Sequence, residues 1–236
     1  MSADMPRRLA ELTWPEVAAR AAGSVLVVPL GATEQHGPHL PFTVDTEIAV
    51  ALGDRLLRAR ETAVLAPAVT YGSSGEHAGF PGTLSIGQEA LEGLLVELVR
   101  SADAFAGVFL VSAHGGNAAV VRRATGRLRN EGRQVCAWSP KGPADDSHAG
   151  RIETSVMLTL RPEAVRAGRA AAGSTAPLAD IMPTLLRSGV RAVSPNGVLG
   201  DPRGASADEG LRVLGRWTGD LLAAYDAWTP VPDGDR

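Results

Sequence analysis

The sequence predicts an α/β fold built on a parallel sheet. Three observations carry this: short apolar runs rich in β-branched residues, amphipathic stretches of helical period between them, and Gly- and Pro-rich loops where the runs end. After a short helix begun around Thr13–Pro15, Val25–Leu30 (VLVVPL) reads as a strand buried on both faces. The loop 31–44 follows, then a helix from about Asp45 to Arg60 with apolar residues at Ile48, Ala49, Leu52, Leu56 and Leu57. Ala63–Pro67 is a second strand, opening into the loop Val69–Ser85. Helix 87–102 leads to strand Gly107–Ser112, a tight turn at His114–Asn117, helix 118–131 and strand 134–138. Beyond a loop at 139–150 the pattern loosens to an apolar stretch, Thr154–Leu160, and a final amphipathic helix from about Ala207 to Trp228. Strand–helix alternation of this kind implies right-handed crossovers, with ligands bound beyond the carboxyl ends of the strands.

The 236 residues fit one domain, 1–229, with a frayed tail at 230–236, and a hydrophobic fraction of 44% is enough for a sizeable core. The net charge of −3 and scattered basic residues give no footprint for nucleic acid or an anionic membrane. No apolar run approaches the ~18–20 residues that span a bilayer. Met1–Leu9 has arginines but no following apolar region, so no signal peptide is expected and the cytoplasm is the default. The one cysteine, Cys136, reads as a buried free thiol in a reducing compartment.

The five histidines carry the chemical signal. His36, His39, His77, His114 and His148 all fall in predicted loops, four of them after a predicted strand. In the first cluster, Glu34 and His36 are two residues apart and point the same way in an extended loop, and Asp45 opens a helix. The bland alternative makes Asp45 an N-cap and leaves Glu34 and His36 on a solvated turn. The surrounding glycines and prolines, which fix a loop geometry, weigh against it. In the second cluster, Ser112–Asn117, Gly115 and Gly116 let backbone N–H groups approach a ligand at the positive end of a helix, beside His114. A phosphate cradle competes here, although the nucleotide fingerprints do not match, and a hydrogen-bonded core role for His114 stays open. The third cluster places His148 five residues before Glu153, whose position in a first helical turn keeps it ionised. Carboxylates and imidazoles without thiolate suit Zn, Mn or Fe(II). Glu34, His36, Asp45, His114 and Glu153 around one ion would nearly close it. Shared between two ions ~3.5–4 Å apart, with Asp45 bridging, they leave room for water. His148 is then free to move protons.

These segments resemble the creatininase family of metal-dependent amidohydrolases. The resemblance rests on GATEQHGPHLP (31–41), VDT (44–46), YGSSGEHAGFPGTLS (71–85), HGGN (114–117), HAGRIETS (148–155) and GDPRGASADEG (200–210), in order along nearly the whole chain. It implies a three-layer α/β/α sandwich with a mainly parallel central sheet, assembled as a homo-oligomer, commonly a hexamer. It also implies two divalent cations, Fe2+ or Zn2+ with Mn2+ as a further option. The first would be held by Glu34, Asp45 and His114, the second by His36, Asp45 and Glu153, with His148 as the catalytic proton shuttle. Creatininase has a metal-binding glutamate two residues after the histidine matching His114, where this chain has Gly116, so Glu153 is the substitute. Creatininase also covers its substrate with tryptophans that Lys141–Gly150 lacks, which argues against creatinine. Within the family the chain is most similar to the mycofactocin-system branch, which implies release of a short C-terminal peptide from a modified ribosomal precursor peptide. Tyr71, Glu76, His77, Gly115 and Gly116 are the substrate-contact candidates. Another family amidohydrolase acting on a small cyclic amide or formamide, a catalytically silent peptide-binding protein, and a structural interaction protein are the alternatives.

Overall fold

The computed structural model describes residues 7–228. Strands β1 (Val25–Leu30), β2 (Ala63–Leu65), β3 (Gly107–Ser112) and β4 (Val135–Trp138) form one sheet in the order β2-β1-β3-β4, with every pair parallel. Helices α1 (Trp14–Ala18), α2 (Val44–Ala59), α3 (Gln88–Arg100), α4 (Ala118–Asn130), α5 (Arg151–Leu160), α6 (Leu178–Ser188), α7 (Val190–Val193) and α8 (Ala207–Trp228) surround it.

Both faces of the sheet are covered, which is why its strands read as unbroken apolar runs. Val25, Val27, Phe109 and Val111 face one layer, where α2 contributes Ile48, Leu52 and Leu56, α5 contributes Val156 and Met157, and α8 contributes Leu214, Leu221 and Tyr225. Leu26, Val28, Leu30, Val108 and Leu110 face the other, against Leu91, Leu95 and Val99 of α3 and Val120, Ala124 and Leu128 of α4. The result is the expected three-layer α/β/α sandwich. Pro29 lies inside the central strand β1, where a missing N–H would normally break the ladder. Its nitrogen is on the β2 side, to judge by Val25 N–H bonding Thr62 and Gly31 N–H bonding Val69, and β2 has already ended at Leu65. No ladder bond is lost.

The topology fixes where a ligand can sit. The chain leaves β1 through α2 toward β2 on one side, and leaves β3 through α4 toward β4 on the other. The two connections therefore diverge at the carboxyl ends of β1 and β3, the switch point at which α/β sheets open a crevice.

Element ends agree with the sequence-based expectations to within a few residues, apart from the region after 160. There the sequence showed only a loosened pattern, and the structure has α6, with Pro183 inside it, followed by α7. Cys136 is half-buried rather than fully buried, because β4 is an edge strand. The expected tail, 230–236, and the first six residues of 1–9 lie outside the described residues. Among those described, no helix is long and apolar enough to cross a membrane.

Helices α5 and α8 cross closely at Gly210, where a Cβ would collide with the carbonyl of Ser155 and the hydroxyl of Thr159. Gly210→Ala is expected to destabilise the fold by about 1–3 kcal/mol. Gly215→Ala, on the same helix with nothing near its Cβ position, should instead stabilise by about 0.5–1 kcal/mol. Denaturant unfolding of both variants checks the pair, and equal effects would contradict the packing described.

Candidate metal centre

The loop after β1, the start of α2, the turn after β3 and the start of α5 bring their polar side chains to one point above the switch. His36 donates from Nδ1 to the carbonyl of Glu34 at 3.1 Å, so Nε2 is the nitrogen it turns to the cluster. That nitrogen faces Asp45 Oδ1 at 3.4 Å and Glu153 Oε2 at 3.8 Å. The other oxygen of Asp45, Oδ2, faces Nδ1 of His114 at 3.5 Å. Nε2 of His114 lies 3.0 Å from the carbonyl of Ser73, which only accepts, so Nε2 carries the hydrogen and Nδ1 is bare. Asp45 thus stands between two imidazole nitrogens, one against each carboxylate oxygen.

Around this axis Glu34 is fully buried, with Oε2 3.2 Å from His114 Nε2. Its Oε1 lies 3.3 Å from His77 Nε2 and 3.6 Å from His148 Nδ1. The His148 ring lies between those of His36 and His77, tilted to each, with centroids 4.2 Å and 4.5 Å away. Glu76 Oε1 lies 3.6 Å from His114 Nε2, with its side chain about one-third exposed at the rim.

Donor atoms around one ion at ~2.1 Å stand roughly 3–3.5 Å apart. Three groupings within 4.8 Å of one another approach this spacing around the axis: Glu34, His36 and Asp45; Glu34, Glu76 and His114; and His36, His148 and Glu153. A fourth joins Glu34, His77 and His148. Both oxygens of Glu34, Nε2 of His36 and Oδ2 of Asp45 are buried and make no hydrogen bond to a protein group. Unpaired buried polar atoms are costly, and four converging acceptors need something positive between them. The donor set fits divalent cations.

Protonation of these groups follows from burial and crowding. Burial lifts the Glu34 carboxyl to about 8 against the lowering pull of His114, and lifts Glu153 to about 7 against that of His36. Burial opposes charging of His36, but Asp45, Glu153 and Glu34 outweigh it and raise the imidazole to about 10. Asp45 is held below the usual carboxylate range because His36 and His114 overcome its burial. His77, down to about 3, and His148, well below its ordinary value, are kept uncharged by burial and by the neighbouring imidazoles. Without a cation, burial and crowding thus favour protons on Glu34, Glu153 and His36 but not on Asp45.

All five expected ligands, Glu34, His36, Asp45, His114 and Glu153, are thus brought together, and His148 joins them. Of the substrate-contact candidates, His77 is buried within the cluster, Glu76 is at its rim and Tyr71 is exposed. Gly116 has no room for a Cβ, which would overlap the Glu76 carboxylate and the His114 ring, whereas Gly115 has open space. Sequence reasoning did not single out Gln35, whose amide contacts both His77 and His148, or place His39, which bonds Thr154 at 2.8 Å beside Glu153. The turn joining His148 to Glu153 passes through Ala149, fully buried at φ 52°, a left-handed conformation costing about 1–2 kcal/mol. Its N–H donates to Glu153 Oε2 at 2.6 Å, which aims that carboxylate.

Comparison with known proteins agrees with this geometry. The family model for creatininase, described as creatinine amidohydrolase, matches residues 10–225. A mycofactocin precursor peptide peptidase of Mycobacterium ulcerans (strain Agy99) is 47% identical over 232 residues, covering 94% of this chain and 89% of that protein. A solved structure titled creatininase Mn superposes with a TM-score of 0.81 at 28% identity, over 96% of this chain and 100% of the other. A mutant creatininase described as Zn-Zn type gives 0.80 at 27% identity, over 97% and 100%. Matched by the family model over residues 10–225 and by the solved structures over nearly its whole length, the chain belongs to the creatininase family of metal-dependent amidohydrolases.

Proposed function

We propose that this chain hydrolyses a peptide bond near the C-terminus of a modified ribosomal precursor peptide in mycofactocin biosynthesis, releasing a short C-terminal peptide. The observation that carries the chemistry is Asp45, whose two oxygens face ring nitrogens of His36 and His114. The similarity to the Mycobacterium ulcerans peptidase supports the substrate. In this reading Glu34, Asp45 and His114 hold one divalent cation and His36, Asp45 and Glu153 a second, Fe2+ or Zn2+ in preference to Mn2+. Such a pair lowers the pKa of water and polarises an amide carbonyl.

The chain's own residues do the rest. Asp45 sets the spacing between the two imidazoles, and the Ala149 N–H aims Glu153. His148, uncharged and lying between His36 and His77, takes up a proton and delivers it to the departing nitrogen. Glu76 and the exposed Tyr71 flank the approach for the peptide. We place the enzyme in the cytoplasm as a homo-oligomer, a hexamer. The family match to creatinine amidohydrolase favours, as a second reading, a small cyclic amide or formamide as substrate.

Incubation of the full chain with the modified precursor peptide under anaerobic Fe2+ or Zn2+, followed by mass spectrometry, tests the proposal. A truncated precursor plus a short C-terminal product is expected. Binding without cleavage would instead identify a silent peptide-binding protein. His148→Ala should keep its metal and lose kcat by about 10²–10⁴-fold. Asp45→Ala should lose both ions in a metal assay, and full occupancy would break the bridging assignment.

Metal binding should also depend on pH in a defined direction. Glu34 and Glu153 hold protons up to about 8 and 7, and His36 to about 10, so a cation entering near neutrality must displace them. Affinity should rise with pH between 6 and 8, about tenfold per unit for each proton released. Titration with a competing chelator at both pH values measures it, and an affinity that does not rise would contradict the proposed ligand set.

A further inference from the structure

Gln35 lies between Glu34 and His36 and is almost fully buried. Its side-chain oxygen accepts the Gly37 N–H at 2.8 Å, and its amide nitrogen lies 3.0 Å from the carbonyl of Gly197. The first partner can only donate and the second can only accept, so the two pin the amide in one orientation. The nitrogen end then points at two imidazoles, 2.9 Å from His77 Nδ1 and 3.1 Å from His148 Nε2.

An amide nitrogen has two hydrogens and no acceptor. One goes to Gly197, which has no other role for it than to receive. His148 Nε2 cannot receive the second, because it lies 2.8 Å from the main-chain carbonyl of Gln35, which requires a hydrogen from that ring nitrogen. The second hydrogen therefore goes to His77 Nδ1, which must be bare. His77 carries its hydrogen on Nε2, which lies 3.3 Å from Glu34 Oε1 without making a hydrogen bond to it, and His148 has a bare Nδ1 3.6 Å from the same oxygen.

We infer that Gln35 is a positioning residue that fixes which ring nitrogen carries hydrogen, on His77 through its side-chain amide and on His148 through its main-chain carbonyl. The consequence is directional. Toward Glu34, His77 presents an N–H and His148 a bare nitrogen, Nδ1. That this nitrogen serves the reaction rests on the proposed role of His148 in hydrolysis. A glutamate at position 35 has the same length but no hydrogen to give. It would leave the Gly197 carbonyl without its donor and set an acceptor oxygen beside His77 Nδ1, which favours a hydrogen on that nitrogen.

The test reads the hydrogens directly. The full chain is labelled with 15N in its histidine rings, loaded with Zn2+, and its five histidines are distinguished by long-range 1H–15N correlation, with His77→Gln to assign the key ring. In the unmodified chain, His77 and His148 should each show a bare Nδ1 and a hydrogen on Nε2. In Gln35→Glu, His77 should change to the Nδ1-protonated form, and kcat for peptide hydrolysis should fall by roughly tenfold or more while zinc content holds. A hydrogen on Nδ1 of either ring in the unmodified chain overturns the inference, whether or not the variant folds, and so does an unchanged His77 in Gln35→Glu. If both tautomers are as stated but the unmodified chain cleaves no peptide, the role of Gln35 stands and the proposed hydrolysis fails.

Discussion

The two oxygens of Asp45 face His36 at 3.4 Å and His114 at 3.5 Å, and these histidines come from loops that follow different strands. Asp45 itself starts α2, the helix that carries the chain from β1 to β2. This one carboxylate therefore links the connection on one side of the switch point to the connection on the other. Its low proton affinity distinguishes it from Glu34 and Glu153, which burial pushes toward the neutral form. The distinction is physical: Asp45 has an imidazole against each oxygen, so its negative charge is compensated before any cation enters.

Much of this was legible in the sequence because period and position encode it. VLVVPL and GVFLVS have no alternation, and the sheet is covered on both faces. Histidines after strands fall at the carboxyl edge because parallel strands all end there. Glu34 and His36 share a direction because extended backbone repeats every two residues. The motif resemblance supplied the expected partition of ligands, and the structure brings the five into one cluster, each beside at least one other.

What remained hidden depends on contacts distant in sequence. Nothing local marks Gln35 as the partner of His77 and His148, 42 and 113 residues away. His77 read as a substrate contact because its loop is polar and Gly-rich, yet a 3-10 turn at Gly75–His77 tucks the ring against Glu34. The helices after residue 160 were obscured by Pro183, a residue that ordinarily ends a helix and here lies within one. Cys136 read as buried from its apolar run, and the edge position of β4 that half-exposes it follows only from strand order.

The amino ends of α2 and α5, and the turn that starts α4, all open onto the cluster, bringing Asp45, Glu153 and His114 with them. Each helix start carries a partial positive charge from its unpaired N–H groups. The candidate cation site is thus framed by electropositive backbone, which the acids in the first turns of α2 and α5 offset. Four carboxylates, Glu34, Asp45, Glu76 and Glu153, gather there, more negative charge than the helix starts alone can balance. The same backbone field would favour whatever negative charge gathers on a substrate oxygen there.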